Sequence, residues 1–80
     1  MELKFTYHAT QQLEERKISL LDIHNCINNP TRVDYKNDQF LFKKLIKNNQ
    51  HLLILPCRIE NDECTIITVY ESSQLKRYLS

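Results

Sequence analysis

The pattern of hydrophobic and polar positions changes its period once along the chain, at Pro30. Before Pro30 the pattern is helical. Residues 6 to about 16 are rich in strong helix formers, and Ala9 and Leu13 lie four positions apart on one face. Thr6 is suited to cap this first helix, because its hydroxyl oxygen can accept a hydrogen bond from a free backbone N–H group.

A second helix is predicted to begin after Ser19 and to end at the Asn29-Pro30 step. The Ser19 hydroxyl can cap this helix, and the carboxylate of Asp22 is favourable in the first turn, near the positive end of the helix dipole. The apolar face of the helix is predicted to comprise Leu20, Ile23 and Ile27.

After Pro30 the chain is rich in strand-forming residues that are separated by short polar turns. The chain contains no glycine, so Asn and Asp must form these turns. The order of elements predicts an α+β fold, in which two N-terminal helices pack on one face of an antiparallel sheet of about four strands. The predicted strands are Thr31–Tyr35, Gln39–Ile46, His51–Ile59 and Cys64–Tyr70.

Two tight hairpins, centred on Asn48-Asn49 and Asn61-Asp62, would fix which residues share each face of the sheet. Pro56 cannot donate to a ladder, so we expect a bulge there, and a bulge would be able to move Arg58 to the other face. The face predicted to pack against the helices comprises Phe40, Phe42, Ile46, Leu53, Leu55, Cys57, Ile59, Ile66 and Tyr70. The opposite face is predicted to comprise Leu41, Lys43, Leu45, Lys47, Leu52, Ile54, Arg58, Thr65, Ile67 and Val69.

This opposite face mixes aliphatic side chains with cations, whereas an ordinary solvated face is more polar. We expect its aliphatic side chains to be covered by a protein partner, by a second copy of the chain or by the chain's own C-terminal segment. The lysines of this face either protect a solvated strand edge or face phosphate groups. The predicted partner-binding residues are Leu41, Leu45, Leu52, Ile54, Ile67 and Val69.

Length and composition fit a single small globular domain over residues 1–80, since 41% of the residues are hydrophobic and 26% are charged. No apolar run approaches the roughly 20 residues that a membrane span needs. Residues 1–5 lack a signal-peptide pattern, so we expect a cytoplasmic protein. The formal net charge of +1 gives no overall basic field that would attract nucleic acid.

The three cysteines are an odd number in a chain without an export pattern, which argues against a disulfide framework. We interpret Cys26, Cys57 and Cys64 as small buried hydrophobic residues. Together with His24 they do not show the ligand spacing of a zinc site. We therefore expect neither a metal nor an organic cofactor.

Four segments carry a resemblance to a known family: Phe5-Thr6-Tyr7-His8-Ala9, Glu15-Arg16-Lys17-Ile18-Ser19, Asn29-Pro30 and Ile67-Thr68-Val69-Tyr70-Glu71-Ser72-Ser73. Their order and spacing resemble a family of small, largely uncharacterised prokaryotic proteins with an early His-Ala, a Glu-Arg-x-Ile-Ser junction, an Asn-Pro and a closing Thr-Val-Tyr. That family is grouped with the RelE/ParE-like and BrnT-like toxins of toxin-antitoxin systems. The present chain has Lys17 where the junction often has glycine.

The resemblance implies a compact fold with helices packed on an antiparallel sheet. It also implies a type II toxin-like protein, namely a metal-independent RNA endonuclease that inhibits translation. Its partners would be RNA, free or on the ribosome, and a protein antitoxin. The alternative is a non-catalytic module that keeps the fold and binds a protein partner or RNA, because a net charge near zero gives little phosphate neutralisation.

Cleavage of RNA without a metal requires a base for the 2′-hydroxyl, cations for the charged phosphorane and an acid for the leaving 5′-oxygen. His8 is the candidate base, because the first turn of a helix favours the neutral imidazole. Arg58 is the first candidate cation, since a guanidinium can hold two phosphate oxygens. Tyr70 is the candidate acid, or a ring on which an unpaired base stacks.

Lys43 and Lys47 are further candidate phosphate contacts, and Lys76 and Arg77 are candidate RNA contacts in a basic C-terminal tail. Every candidate also has a structural interpretation. The imidazole caps the first helix or packs on the sheet, the tyrosine is a core aromatic with its hydroxyl at the surface, the lysines provide solubility, and the tail forms a terminal helix.

Overall fold

The computed structural model describes all 80 residues, which form three helices and six strands. The chain therefore has an α+β fold, as the order of elements predicts. The helices are α1 (Tyr7–Arg16), α2 (Leu20–Asn28) and α3 (Leu75–Leu79). The strands are β1 (Glu2–Phe5), β2 (Arg32–Lys36), β3 (Gln39–Ile46), β4 (His51–Glu60), β5 (Glu63–Ile66) and β6 (Tyr70–Ser72).

The first two helices begin at the predicted caps. The backbone N–H of Ala9 donates to the Thr6 hydroxyl at 3.1 Å, and the N–H of Asp22 donates to the Ser19 hydroxyl at 3.1 Å. Both caps satisfy donors that the first turn leaves without a partner. The prediction for Leu20 was wrong, because its side chain is 57% exposed instead of lining the buried face of α2.

The sheet is mixed, with the strand order β1-β5-β4-β3-β2 and with β6 paired to β4. The prediction of about four antiparallel strands was wrong in two respects. β1 adds a parallel neighbour to β5, with Glu2 opposite Glu63 and Phe5 opposite Ile66. The predicted fourth strand is divided into β5 and β6. The N-terminal strand was not predicted, because four residues are too few for a periodic signal.

The turns between strands use left-handed backbone conformations without glycine. The chain has positive φ at Asn37-Asp38, at residues 47–49 and at Asn61-Asp62. Asn and Asp tolerate this region better than other residues with a Cβ atom. Ile46 pairs with His51 and Glu60 pairs with Glu63, so both predicted hairpin registers are confirmed.

The core lies between the sheet and the pair α1 and α2. It contains five residues of the face that was predicted to pack against the helices, and all three cysteines are buried as predicted. Phe40, Ile46 and Ile59 pack against its margin. The core residues are Ala9, Ile23, Cys26, Ile27, Phe42, Leu53, Leu55, Cys57, Cys64, Ile66 and Val69.

A bulge separates β5 from β6, beside Pro56. Cys57 pairs with Ile66 and Ile54 pairs with Tyr70, so the three residues 67–69 face only the two residues between Ile54 and Cys57. Pro56 has no N–H, and its carbonyl accepts from the N–H of Ile67 at 2.8 Å where the regular ladder is interrupted. The expected bulge therefore lies on the strand opposite the proline.

This bulge shifts the alternation of side chains by one residue. Val69 lies in the core and Tyr70 lies on the opposite face, so the predicted faces of these two residues were wrong. Arg58 stays on its predicted face, because β4 remains continuous and Arg58 pairs with Thr65. A one-residue shift of this kind moves every later side chain to the other face.

Candidate functional site: a cationic groove beside α3

The sheet face opposite α1 and α2 is covered by the chain's own C-terminal segment. α3 is the one helix on this side of the sheet. Leu52 and Ile54 belong to this face and have no exposed surface. We expected the predicted partner-binding face to be covered by a protein partner, by a second copy of the chain or by the C-terminal segment. In the structure the C-terminal segment covers it. Leu41 lines the groove described next, Leu45 and Ile67 are half-buried, and Val69 is in the core on the other side.

A groove of about 500 Å³ lies between α3 and the strands β2 and β3. Its lining residues include four with cationic side chains and three tyrosines, from β2, β3, β6 and α3. One carboxylate, that of Asp34, lies among them. The ring of one of the tyrosines, Tyr35, packs against Phe40 on the other face of the sheet. The lining residues are Arg32, Asp34, Tyr35, Lys36, Leu41, Lys43, Tyr70, Arg77, Tyr78 and Ser80.

Lys43 is the most buried cation of the groove, with 6% of its surface exposed. Its ammonium group donates to Asp34 Oδ2 at 2.7 Å and to the carbonyl oxygen of Tyr78 at 2.7 Å. The hydrogen bond from Lys43, with a further bond from Arg32, holds the pKa of Asp34 below its usual value. Lys43 is therefore already neutralised in the folded chain, and it fixes α3 to the sheet.

Arg32 makes a second connection between β2 and α3. Its Nε donates to Asp34 Oδ1 at 2.9 Å, and its Nη1 donates to the carbonyl oxygen of Leu79 at 2.7 Å. The two carbonyls that receive Lys43 and Arg32 lie at the C-terminal end of α3, where cations are favourable. The end of α3 is thus held by two cations of the sheet.

Two tyrosines and an arginine form the part of the groove next to α3. The rings of Tyr70 and Tyr78 meet edge to face, with 6.3 Å between their centroids. The Arg77 guanidinium carbon lies 5.6 Å from the centroid of the Tyr78 ring. Burial raises the pKa of Tyr70, so its phenol is fully protonated at neutral pH and is available as a hydrogen-bond donor.

Three of the predicted catalytic and RNA-binding residues, Lys43, Tyr70 and Arg77, meet in this groove. Arg58 lies on the same face but in separate depressions, beside Glu60 and Glu63. The remaining two predicted RNA contacts lie outside the groove. Lys47 pairs with Glu71 at 3.0 Å, and Lys76 is exposed on α3.

His8 does not join the other candidates. It is exposed in the first turn of α1, and α1 packs on the core side of the sheet through Ala9. The sheet lies between His8 and the groove that contains Tyr70. The groove therefore has cations and a proton donor, but no imidazole.

Several groove residues were not predicted as site residues. Arg32 and Lys36 alternate with apolar residues along β2, and this alternation was the available signal. Two other unpredicted polar groups lie on the core side of the sheet, at the margin near the β3-β4 turn. His51 Nδ1 lies 3.7 Å from Glu71 Oε2, and neither buried atom has a hydrogen-bond partner.

All three cysteines are buried, and none of them forms a disulfide. Burial raises the pKa of Cys26 to about 12. The hydrogen bond with Cys64, together with burial, raises the pKa of Cys57, and the same hydrogen bond lowers the pKa of Cys64. No group of three or more His, Cys, Asp or Glu side chains is placed to hold a metal ion. The structure also contains no helix with the length and apolar character that crossing a membrane requires.

The chain is thus a small α+β domain with a groove lined by cationic residues and tyrosines. The model of the family described as Domain of unknown function (DUF4258) matches residues 5–71, from the end of β1 into β6. The chain therefore belongs to the DUF4258 family. The match ends before α3. No curated protein and no solved structure matches the chain.

Proposed function

We propose that the protein is a RelE/ParE-like toxin that acts in the cytoplasm as a metal-independent RNA endonuclease, and that the groove beside α3 is its RNA site. The observation that carries this proposal is the combination in one groove of the cations Arg32, Lys36 and Arg77 with the phenols of Tyr70 and Tyr78. The order of the His-Ala, Glu-Arg-x-Ile-Ser and Thr-Val-Tyr motifs supports it independently.

The groove suits a single-stranded RNA segment. A guanidinium binds two phosphate oxygens at once, and an aromatic ring stacks on an unpaired base of any sequence. Arg77 and Tyr78 lie next to each other on α3, so a phosphate and the adjoining base would be held by neighbouring side chains. Lys36 is exposed at the far side of the groove and adds a second phosphate contact.

The proposed reaction is an attack by the ribose 2′-oxygen on the adjacent phosphorus. A 2′-O–P bond forms and the P–O5′ bond breaks, so the products are a 2′,3′-cyclic phosphate and a free 5′-hydroxyl. Tyr70 gives its proton to the leaving 5′-oxygen, and Arg77 stabilises the negative charge of the phosphorane. The proton of the 2′-hydroxyl leaves to solvent, since His8 lies across the sheet.

The proposal is tested with the purified protein and single-stranded RNA, followed by mapping of the RNA ends. We expect cleavage products with 2′,3′-cyclic phosphate ends, and a loss of at least about tenfold in rate for Tyr70→Phe, which keeps the ring and removes the proton donor. Arg77→Glu should weaken RNA binding. Arg16→Glu on α1 makes the same charge change on the opposite side of the sheet, and it should leave binding unchanged.

Intact RNA with the folded wild-type protein, and normal growth of cells that express it without its proposed antitoxin, would reject the endonuclease. If Tyr70→Phe still cleaves RNA and His8→Ala does not, the reaction takes place on the α1 side of the sheet and not in the groove. RNA is the macromolecular substrate of this proposal, and the proposed antitoxin restrains the protein by blocking the groove.

A second candidate function is a non-catalytic module that binds RNA or a protein partner. The state of Lys43 favours it, because this cation is already paired with Asp34 and with the Tyr78 carbonyl and has little left to offer a phosphate. Such a module would bind RNA without cleavage, and Tyr70→Phe would not change its affinity. Measuring binding and cleavage in parallel therefore separates the two functions.

A further inference from the structure

β2 forms one edge of the sheet, because it pairs with β3 on one side and with no strand on the other. Two of its side chains are large, hydrophobic and exposed, Val33 at 43% and Tyr35 at 62%. The edge strand β1 has no such side chain, and its Lys4 pairs with Glu63 at 2.9 Å. Since proteins usually protect their edges, β2 is the edge better suited to accept another strand.

The turn before β3 determines which backbone groups of β2 are free. Asn37 and Asp38 both have positive φ, and Lys36 pairs with Gln39 across them. In a hairpin closed by a two-residue turn, the flanking pair is hydrogen-bonded and the bonded pairs then alternate along the strands. The N–H and C=O groups of Val33 and Tyr35 therefore point away from β3, toward the free edge.

The side chains of β2 divide between the two faces of the sheet. Asp34 binds Lys43 on the α3 side, so Arg32 and Lys36 lie on that side too. Val33 and Tyr35 lie on the other side, where the Tyr35 ring centroid is 4.8 Å from that of Phe40. The free edge thus presents cations on one face and apolar groups on the other.

We propose that the free edge of β2 accepts an extended segment of another protein in which acidic and apolar residues alternate. The segment's backbone would bond the free groups of Val33 and Tyr35. Its apolar side chains would lie beside these two residues, and its carboxylates would lie beside Arg32 and Lys36. The Asp34 charge does not oppose such a segment, because Lys43 and Arg32 already pair with it.

A second copy of this chain fits the edge less well. Antiparallel pairing that overlaps all five residues of β2 places Arg32 opposite Lys36 of the other copy and Asp34 opposite Asp34. Like charges directly opposite each other are destabilising. The registers centred on Val33 or Tyr35 avoid these pairs but overlap only three of the five residues. Charge and register therefore favour a segment of a different protein, one that contains acidic residues, as the strand that pairs with β2.

The test uses two capped octapeptides, one alternating Glu and Val and the other alternating Lys and Val, with the isotope-labelled full chain. We expect the Glu peptide to bind at least about tenfold more tightly than the Lys peptide. It should slow hydrogen exchange at the amides of Val33 and Tyr35 and not at Asp34, whose amide already bonds β3. Lys36→Glu should reverse the preference between the peptides, and it changes an exposed side chain that forms no ion pair.

Val33→Pro provides a backbone test, because it removes a free N–H that no partner in the chain uses. We expect it to abolish peptide binding while Val33→Thr, which keeps the N–H, binds. Equal affinity for both peptides, or protection elsewhere in the sheet, would overturn the proposal. So would a wild-type dimer, seen by sedimentation, that Val33→Pro converts to monomer, because the occupant would then be a second copy. Arg32 and Lys36 line both this edge and the groove. Peptide binding and hydrogen exchange are measured without RNA, however, so loss of RNA cleavage would not affect the result.

Discussion

The two faces of the sheet are both buried, but by different means. The face against α1 and α2 is covered by two capped helices that contribute Ala9, Ile23, Cys26 and Ile27 to a continuous apolar core. The face against α3 is covered by a single five-residue helix that has no side-chain cap and no buried residue. Polar contacts from Lys43 and Arg32 fix that helix.

This difference separates stability from function within one sheet. The face against α1 and α2 contains the continuous apolar core, so we expect it to contribute most of the free energy of unfolding. Directed hydrogen bonds to carbonyls hold α3, and these leave a groove with cations and phenols beside it. Substitutions that act on one face and not on the other test this division.

The largest expected effect is on the helix-covered face. Leu55→Ala removes a fully buried side chain from the core, and we expect it to lower the free energy of unfolding by about 3 to 5 kcal/mol. Ile54→Ala, equally buried on the α3 face, should lower it by about 2 to 3 kcal/mol, because α3 can move toward the cavity. Urea unfolding measures the free energy of unfolding of both variants. Equal losses would contradict the proposed difference between the two faces.

An intermediate effect is expected for Asp34→Asn, which removes the carboxylate partner of Lys43. We expect a loss of about 1 to 3 kcal/mol at pH 7. The pKa of Asp34 is lowered in the folded chain, so its contribution is present above its unfolded pKa of about 4 and is lost as the pH falls through the folded pKa. The stability curves of wild type and Asp34→Asn should therefore converge in acid.

Urea unfolding at several pH values between neutral and strongly acidic tests this convergence. Glu15→Gln removes a negative charge at an exposed position of α1 that forms no ion pair, and it should give a curve parallel to that of the wild type. A constant difference between wild type and Asp34→Asn at all pH values would mean that the ion pair does not stabilise the folded chain.

The smallest expected effect is a gain on the α3 face. Gln74 precedes α3 and provides no side-chain cap, whereas Thr6 and Ser19 cap the other helices. Gln74→Asp supplies an acceptor and a favourable charge, so we expect about 0.5 to 1 kcal/mol of added helix stability. Hydrogen exchange should slow in α3 and stay unchanged in α1. An equal change in the hydrogen exchange of both helices would contradict the conclusion that α3 is held to the sheet independently of α1.

The parts of the fold that the sequence predicts are those that local chemistry determines. The hydroxyls of Thr6 and Ser19 cap their helices by accepting from the backbone N–H three residues further along the chain. The Asn61-Asp62 turn fixes the register of the two strands that it joins. Parallel pairing of β1 with β5 joins residues that are 61 positions apart in the sequence, such as Glu2 and Glu63, so no local sequence pattern predicts it. The bulge beside Pro56 was expected, but the strand that carries it was not.

The candidate site was harder to predict for the same reason. The predicted face of Tyr70 was wrong because the prediction assumed that side chains alternate between the faces without interruption. A bulge changes the face of every residue after it. Tyr70 still reaches the groove, since that shift brings it to the side of Lys43. The pairing of Lys43 with Asp34 depends on a hairpin register, and its bond to the Tyr78 carbonyl depends on where the last helix lies.

The turns of this chain have a consequence for the state from which it folds. Eight residues with a Cβ atom hold the left-handed conformation where glycine is common in other proteins. A chain without glycine samples fewer backbone conformations when it is unfolded, so less conformational entropy is lost per residue on folding. For a domain of 80 residues, whose core is small, part of the stability thus comes from the restricted freedom of the denatured ensemble.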